Sequence, residues 1–378
     1  MQSGFAATKF LTISDIHYGS DNANNDGQDT GNEFLKITMG KLKTLSKDAD
    51  FIINLGDLPT HLLWDTSRKG EYEQKVFHEL YQADIYARPM FYIAGNNDSL
   101  AGNYQPFEVN GKSPLDLAWD WDGACAYCEG LVIDDSPMRR GGYYSTYVVP
   151  NNKDIILIAL NSTPWATAPI LLPKYPDKQN DAMEQLDWLE KQLKAHHAKQ
   201  LLLAMHAPPG ASFLGDPLWE KRYQEKFISL LEQNHNAYDQ ITLLISHTHM
   251  DEFRKIIFHD GTSVYAYSTP AVSRIYHNNP GIKLFSLDTK MAVTNFTTFY
   301  SPYSNVWADD SYSAMGSAKT IFPDCHASNL ADCLDTLSNE QVCHYLEKGL
   351  FYGVKSERIK GKHSCSTIYA VDSLSQSG

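Results

Sequence analysis

Six short apolar runs without alternation limit what this chain can fold into. They lie at residues 9–14 (KFLTIS), 51–55 (FIINL), 90–94 (MFYIA), 155–160 (IILIAL), 200–205 (QLLLAM) and 241–246 (ITLLIS). A strand with one wet face alternates apolar and polar residues, whereas a strand covered on both faces does not. Between the runs lie helical patterns. Leu35, Met39 and Leu42 recur at helical spacing, as do Ala182, Leu186, Leu189 and Leu193, and Asp181 with Glu184 fits a capping box. A third helix is expected over residues 221–233. Strands alternating with helices predict a layered α/β fold. Antiparallel hairpins are expected at 256–269, turning at Asp260-Gly261, and at 282–300, turning at Asp288-Thr289-Lys290.

The rest of the chain divides by composition. Residues 8–300 are expected to form one catalytic domain, and the Gly-, Pro- and Trp-rich stretch 99–142 reads as a lid-like insertion within it. Residues 301–378 read as a Tyr-, Ser- and Ala-rich linker, to about residue 320, and a helical region that carries cysteines, with helix expected within 325–352. A length of 378 residues, 43% hydrophobic and 20% charged, suits one large core or two smaller ones. A net charge of −13 argues against nucleic acid as a partner, since that needs a basic face. No window approaches 18 uninterrupted apolar residues, so no transmembrane segment is expected.

The cysteines are even in number and clustered: Cys125 with Cys128, then Cys325, Cys333, Cys343 and Cys365. They read as disulfides made in an oxidising compartment. A four-cysteine zinc site fits less well, because only one pair is Cys-x-x-Cys and the C-terminal spacings are irregular. The opening MQSGFAATKF lacks an apolar signal core. Together with the cysteines it reads as a mature chain: secreted, periplasmic or lumenal. Asn161 and Asn295 open formal glycosylation sequons, a pattern that chance often supplies.

The residues just past each run are the second constraint. Asp15 and His17 come after the first, Gly56 and Asp57 after the second, and Gly95-Asn96-Asn97-Asp98 after the third. His206 comes after the run at 200–205, and His247 and His249 after the run at 241–246. Singly these are commonplace: Asp-x-His pairs are mostly surface, and Gly-Asn-Asn is an ordinary turn. Jointly they are not, because the carboxyl ends of strands in open α/β sheets converge on one crevice. Imidazole and carboxylate ligands together suit zinc, manganese or iron rather than magnesium or calcium alone.

The series D-x-H, G-D, G-N-x-[DE], H and x-H-x-H resembles the motifs of the calcineurin-like metallophosphoesterases. The resemblance implies a four-layer α/β/β/α sandwich, here with a helical C-terminal extension, and two divalent ions bridged by one Asp. Zinc is the first choice, with manganese or iron as alternatives. Carried over by residue, the first ion takes Asp15, His17, Asp57 and His249. The second takes Asp57, Asn96, His206 and His247. Only Asp15 and Asp57 are charged among these, so the loaded site stays positive and suits a phosphate anion. In the family a metal-bridging hydroxide attacks phosphorus in line, without a covalent enzyme intermediate.

A narrower resemblance rests on GDLPTH (56–61), GGYYS (141–145), QLDWL (185–189), MHAPPG (205–210), SHTHMDEF (246–253) and NNPGIKLF (278–285). These look like the acid sphingomyelinase and sphingomyelinase-like phosphodiesterase branch, whose members are secreted or lysosomal and zinc-dependent. The saposin domain by which acid sphingomyelinase lifts lipid is expected to have no counterpart here, since only eight residues precede Lys9. The expected substrate is therefore a small soluble phosphodiester, a nucleotide or a phosphocholine-type molecule.

The chain departs from the family at Asn97, where the family has a His that contacts phosphate and helps protonate the leaving group. Such general acid help is worth about 10²–10⁴-fold. Asn supplies no proton, and His61 is expected to take the role, because the branch has a His beside the leaving group in this motif. Ser246 replaces the family Gly, so this position need not adopt positive φ. Tyr104, Phe107, Trp119 and Trp121 offer a stacking surface for a base or a choline, or else simply pack the insertion onto the core. The function expected is a dinuclear-metal phosphodiesterase. The alternatives are a nucleotide pyrophosphatase or phosphomonoesterase on the same site, or a catalytically impaired phosphate-ligand-binding protein.

Overall fold

The structure is a computed structural model that describes residues 7–19, 26–61, 66–303, 306–317, 319–347 and 365–372. In chain order its strands are β1 Lys9–Ile13, β2 Phe51–Asn54, β3 Met90–Tyr92, β4 Cys125–Ala126, β5 Val132–Asp134, β6 Tyr144–Val149, β7 Asn152–Leu160 and β8 Ala198–Met205. They continue with β9 Tyr238–Ile245, β10 Phe253–Ile257, β11 Ser263–Ser268, β12 Gly281–Leu287, β13 Val293–Tyr300, β14 Asp310–Ser313 and β15 Ala370–Val371. The helices are α1 Asn32–Leu45, α2 Lys69–Ala83, α3 Met138–Gly141, α4 Lys178–Ala195, α5 Lys221–Asn234, α6 Leu330–Thr336, α7 Asn339–Glu347 and α8 Cys365–Tyr369.

The strands form two sheets. One runs β14-β13-β12-β1-β2-β3-β4 and the other β15-β10-β11-β9-β8-β7-β6-β5. All six apolar runs lie in strands, and the layering explains why they do not alternate. In β7, Ile155, Leu157 and Ala159 face the core shared with the first sheet, while Ile156, Ile158 and Leu160 join Leu186 and Leu189 of α4 and Phe227 and Leu231 of α5. In β8, Leu202 and Ala204 face one way, and Leu201, Leu203 and Met205 the other. Each face is dry, and each fully buried Leu or Ile contributes about 1.5–3 kcal/mol. The first sheet is covered by Phe34, Leu35 and Met39 of α1 and by Val76, Phe77 and Leu80 of α2. The result is the layered α/β sandwich that the pattern predicted.

Both expected hairpins form: β10 pairs antiparallel with β11, and β12 with β13. The expected capping box does not. Helix α4 begins at Lys178 after Asp177, so Asp181 and Glu184 lie inside it, where both approach Arg140.

The 99–142 stretch, read above as an insertion, pairs into both sheets. Its β4 pairs with β3 of one and its β5 with β6 of the other. The Trp121 indole donates to the Phe77 carbonyl at 3.1 Å. The stretch read as a linker supplies β14, an edge strand beside β13. Helix occupies Leu330–Thr336 and Asn339–Glu347, and the rest of the helix expected up to residue 352 lies outside the described residues. All six cysteines are paired, as Cys125–Cys128, Cys325–Cys333 and Cys343–Cys365. The last bridge precedes β15, which pairs parallel with β10.

Candidate metal centre

The ends of β1, β2 and β3 on one sheet meet the ends of β8 and β9 on the other. The backbone there is unusual. Asp15, His17, Asp57, His247 and His249 all have left-handed φ, between 46° and 73°. A non-glycine residue in that region costs on the order of 1–3 kcal/mol and persists only where its surroundings force it. Ser246 is not among them, in keeping with a serine replacing the family glycine.

Two glycines let the ends of β2 and β3 touch. A Cβ on Gly56, at φ +84°, would lie 2.4 Å from the Gly95 nitrogen. A Cβ on Gly95 would lie 2.2 Å from Asp57 Oδ1. The turn after β3 is therefore pressed against the Asp57 carboxylate. Asn97 holds that carboxylate twice: its N–H donates to Oδ1 and its Nδ2 to Oδ2, both at 2.8 Å. Asp98 ties the same turn together from behind. It accepts from the N–H groups of Asp57 at 3.1 Å, Leu58 at 2.8 Å and Gly95 at 2.8 Å, and from the Tyr92 hydroxyl at 2.7 Å.

Among the described residues, the buried Asp15 Oδ1, His17 Nε2, His206 Nε2 and Asn96 Oδ1 around Asp57 have no hydrogen-bond partner. Each belongs to a side chain whose other polar atom is engaged. Asp15 Oδ2 accepts from Ser14 Oγ at 2.7 Å and from Ser246 Oγ. His17 Nδ1 donates to the Pro59 carbonyl at 3.0 Å, and His206 Nδ1 to the Leu55 carbonyl at 2.7 Å. Asn96 Nδ2 donates to Asn103 Oδ1 at 2.7 Å. These bonds fix both imidazoles with the Nε2 lone pair inward, the arrangement that metal-ligating histidines use.

These atoms, with His249 Nε2, face one another at ion-pair range. His206 Nε2 is 3.2 Å from Asp57 Oδ2, and His17 Nε2 is 3.5 Å from it. His249 Nε2 is 3.4 Å from Asp15 Oδ1. Ligand atoms of Asp15, His17 and Asp57, of Asp57, His206 and His247, and of His17, His61 and His249 lie within 4.8 Å of one another in each group. A buried polar atom without a hydrogen bond costs up to about 1–3 kcal/mol, and a cluster of inward-facing carboxylate, amide and imidazole ligand atoms suits a cation.

The electrostatics agree. Burial by itself lowers His17 and His206, but the Asp15 and Asp57 carboxylates outweigh it and hold them up to about 9 and about 10. Burial by itself raises Asp15 and Asp57, but the histidines, His206 foremost, keep both below the usual carboxylate range. Burial takes His249 down to about 3, and burial with His206 takes His247 down to about 4. Two carboxylates in a dry site thus demand positive charge, which divalent ions would supply. The residues fit a dinuclear centre.

His61 stands at the rim. Its ring stacks on His17 with centroids 3.9 Å apart, and its Nδ1 lies 3.0 Å from Asp29. Asp29 is buried and also accepts from Thr60 Oγ1 and Ser273 Oγ, each at 2.7 Å, and from the His61 N–H at 3.0 Å. Burial raises Asp29, but His61 and His17 outweigh it and hold the carboxyl well below its usual range.

A cavity of about 350 Å³ opens here, lined by His61, Asn97, Tyr104, Phe213, His247 and Tyr276 among others. Of the four insertion aromatics that could have offered a stacking surface, Tyr104 alone lines it. Phe107 and Trp121 are buried in the core, and Trp119 is exposed against His78. Sequence reasoning missed Asp29, Asn103, Phe213 and Tyr276. None sits beside the end of an apolar run, the one local signal that marks this site. Asp98 does sit there, in the turn after β3, but its buried hydrogen bonds give it a role that the motif alone does not reveal.

Residues 8–251 match the family model for calcineurin-like phosphoesterase. The chain belongs to that family. The phosphoesterase is 24% identical over 276 residues to sphingomyelin phosphodiesterase B of Dictyostelium discoideum, covering 68% of this chain and 39% of that protein. It is 21% identical over 301 residues to sphingomyelin phosphodiesterase A of the same organism, covering 76% of this chain and 48% of the relative. The chain therefore spans less than half the length of these two relatives. Its fold is similar to that of a dimetal phosphatase from Danio rerio, with a TM-score of 0.51 and 12% identity over 78% of this chain and 95% of that one. Family membership makes the phosphoesterase a hydrolase of the class that typically carries two divalent metals. Among the described residues no helix is long and apolar enough to cross a membrane.

Proposed function

We propose that the phosphoesterase is a dinuclear-metal phosphodiesterase acting on small phosphodiesters, of nucleotide or phosphocholine type. The observation that carries this reading is the ring of buried ligand atoms around Asp57 that make no hydrogen bond: Asp15 Oδ1, His17 Nε2, Asn96 Oδ1 and His206 Nε2. In this reading Asp15, His17, Asp57 and His249 hold one ion, Asp57, Asn96, His206 and His247 hold the other, and Asp57 bridges. The ions, zinc by preference, would supply Lewis acidity towards the phosphoryl oxygens and a water of lowered pKa.

The chain's own groups do the rest. Asp57 is held still by Asn97, whose side-chain amide is thereby committed to the carboxylate rather than to a leaving group. His61 presents its remaining nitrogen at the cavity, with Nδ1–H directed at Asp29. A water that has first released a proton to bulk solvent would bond to phosphorus as the bond from phosphorus to the leaving oxygen breaks, and His61 would give its own proton to that leaving oxygen. Asp29 holds the ring's orientation through Nδ1. The apolar wall of Phe213 and Tyr276 accommodates one ester arm. Three disulfides support an oxidising compartment, and so a secreted, periplasmic or lumenal location.

The test is a turnover panel on protein of measured metal content: bis-4-nitrophenyl phosphate, a nucleotide diester, ATP, ADP and AMP, each with and without chelation. Diester turnover that chelation abolishes is expected, and turnover that survives removal of all metal would overturn the reading. The commitment of Asn97 to Asp57 favours one second reading, a pyrophosphatase whose leaving groups need little protonation. Preference for ATP over every diester would establish it. Metal uptake without turnover of any substrate would point instead to an impaired phosphate-ligand-binding protein.

A further inference from the structure

Within residues 99–142, the dipeptide Asn103–Tyr104 reaches the candidate centre. Asn103 Oδ1 accepts from Asn96 Nδ2 at 2.7 Å. That bond decides which way the Asn96 amide points. An amide without it is free to turn its nitrogen inward, where it would meet a cation with N–H groups. With it, Asn96 Oδ1 is the inward atom, buried and unpartnered. Beside it, the Tyr104 hydroxyl lies 3.3 Å from His247 Nε2. Pairing that nitrogen leaves Nδ1 as the other ring atom for an ion. The two contacts fall on Asn96 and His247, which share one ion in the reading above, and neither Asn103 nor Tyr104 touches the ligands private to the other ion.

The dipeptide is itself held in place. The Tyr104 N–H donates to the Asn96 carbonyl at 2.8 Å, Tyr104 takes a left-handed φ of 56°, and the neighbouring Gln105 side chain donates to the Pro173 carbonyl at 2.9 Å. Asn103 and Tyr104 both line the 350 Å³ cavity.

We propose that Asn103 and Tyr104 are positioning residues for the second ion. Asn103 locks the Asn96 amide with its oxygen inward, and Tyr104 holds the His247 ring. This part of the insertion therefore sets the affinity of one ion and not of the other. The inference rests on the two-metal reading, and the test separates the two.

The experiment is a zinc titration of the full chain after chelation, followed by competition with a chromophoric chelator, so that affinity is read without turnover. The wild-type protein is expected to bind two equivalents, and His206→Ala identifies the class of site to which Asn96 and His247 belong. Asn103→Ala is expected to weaken that class about 10–100-fold, as loss of an outer partner typically does, and to leave the other class unchanged. Asn103→Asp, which keeps an oxygen facing Asn96 Nδ2, is expected to restore it. Tyr104→Phe, which keeps the ring, is expected to weaken the same class and carries the test should Asn103→Ala fail to fold. A wild-type protein that binds no zinc overturns the two-metal reading itself. Two wild-type equivalents, with Asn103→Ala unchanged or weakened equally at both classes, overturn this inference alone.

Discussion

Gly95→Ala is the sharpest perturbation the site allows. The new methyl would lie 2.2 Å from Asp57 Oδ1, 2.3 Å from the Asp57 nitrogen and 3.0 Å from its Cα, where ordinary contact begins at 3.4 Å. The chain must open by about 1 Å, and none of these atoms is the loose end of a flexible side chain. Oδ1 is held by the Asn97 N–H at 2.8 Å, and the Gly95 N–H is held by Asp98 at 2.8 Å. Moving Asp57 away breaks the first bond, and moving the turn away strains the second. Overpacking of this kind costs typically 1–3 kcal/mol, which lowers the melting temperature of a chain this size by only a few °C. Function suffers more, because a misplacement of about 1 Å at a reacting centre costs about 10²-fold. The assay pairs metal content by mass spectrometry with turnover of bis-4-nitrophenyl phosphate. Gly40→Ala is the control: Gly40 lies exposed in α1 with nothing near its Cβ, and alanine there should gain up to about 1 kcal/mol. A folded Gly95→Ala protein with both metals at wild-type affinity and turnover within about threefold of wild type would refute the argument from close approach.

Further predictions concern acid delivery, protons and disulfides. His61→Ala and Asp29→Asn should each slow an alkyl or phenyl ester by about 10²-fold or more while sparing the 4-nitrophenyl ester, and the double variant should be no worse than His61→Ala; equal losses on both esters would remove the pair as proton donor. His17 and His206, held up to about 9 and about 10, bind protons at neutral pH that a metal must displace, whereas His247 and His249, at about 4 and about 3, do not. Metal affinity should therefore rise as pH rises from 6 towards 9, with protons released on zinc addition to a weakly buffered sample, and a pH-independent affinity would contradict the assignment. The Cys343–Cys365 bridge closes a loop of sequence separation 22 and precedes β15, so replacing both cysteines by serine should cost roughly 3 kcal/mol by the chain-entropy model. Urea unfolding with an unchanged midpoint would show that the bridge does not constrain the chain.

The amino-acid sequence by itself determined the layered α/β architecture and where to look in it. Dry strands need continuous Ile, Leu and Val, and Asp15, His17, Asp57, Asn96, His206, His247 and His249 stand at their ends because strand ends are where side chains can converge. Both signals are local, and so can be read from a few neighbouring residues. Tertiary structure alone decided the partners. Asp29 reaches His61 across 32 positions, Ser246 reaches Asp15 across 231, and Phe213 and Tyr276 enter the cavity from loops with no pattern of their own. The edge strand β14 was likewise hidden in a Ser- and Tyr-rich stretch read as a linker. A hydrogen bond between distant loops depends on how two sheets pack, to within a fraction of an ångström. No window of sequence encodes that separation, because it is set by the sum of the contacts in between.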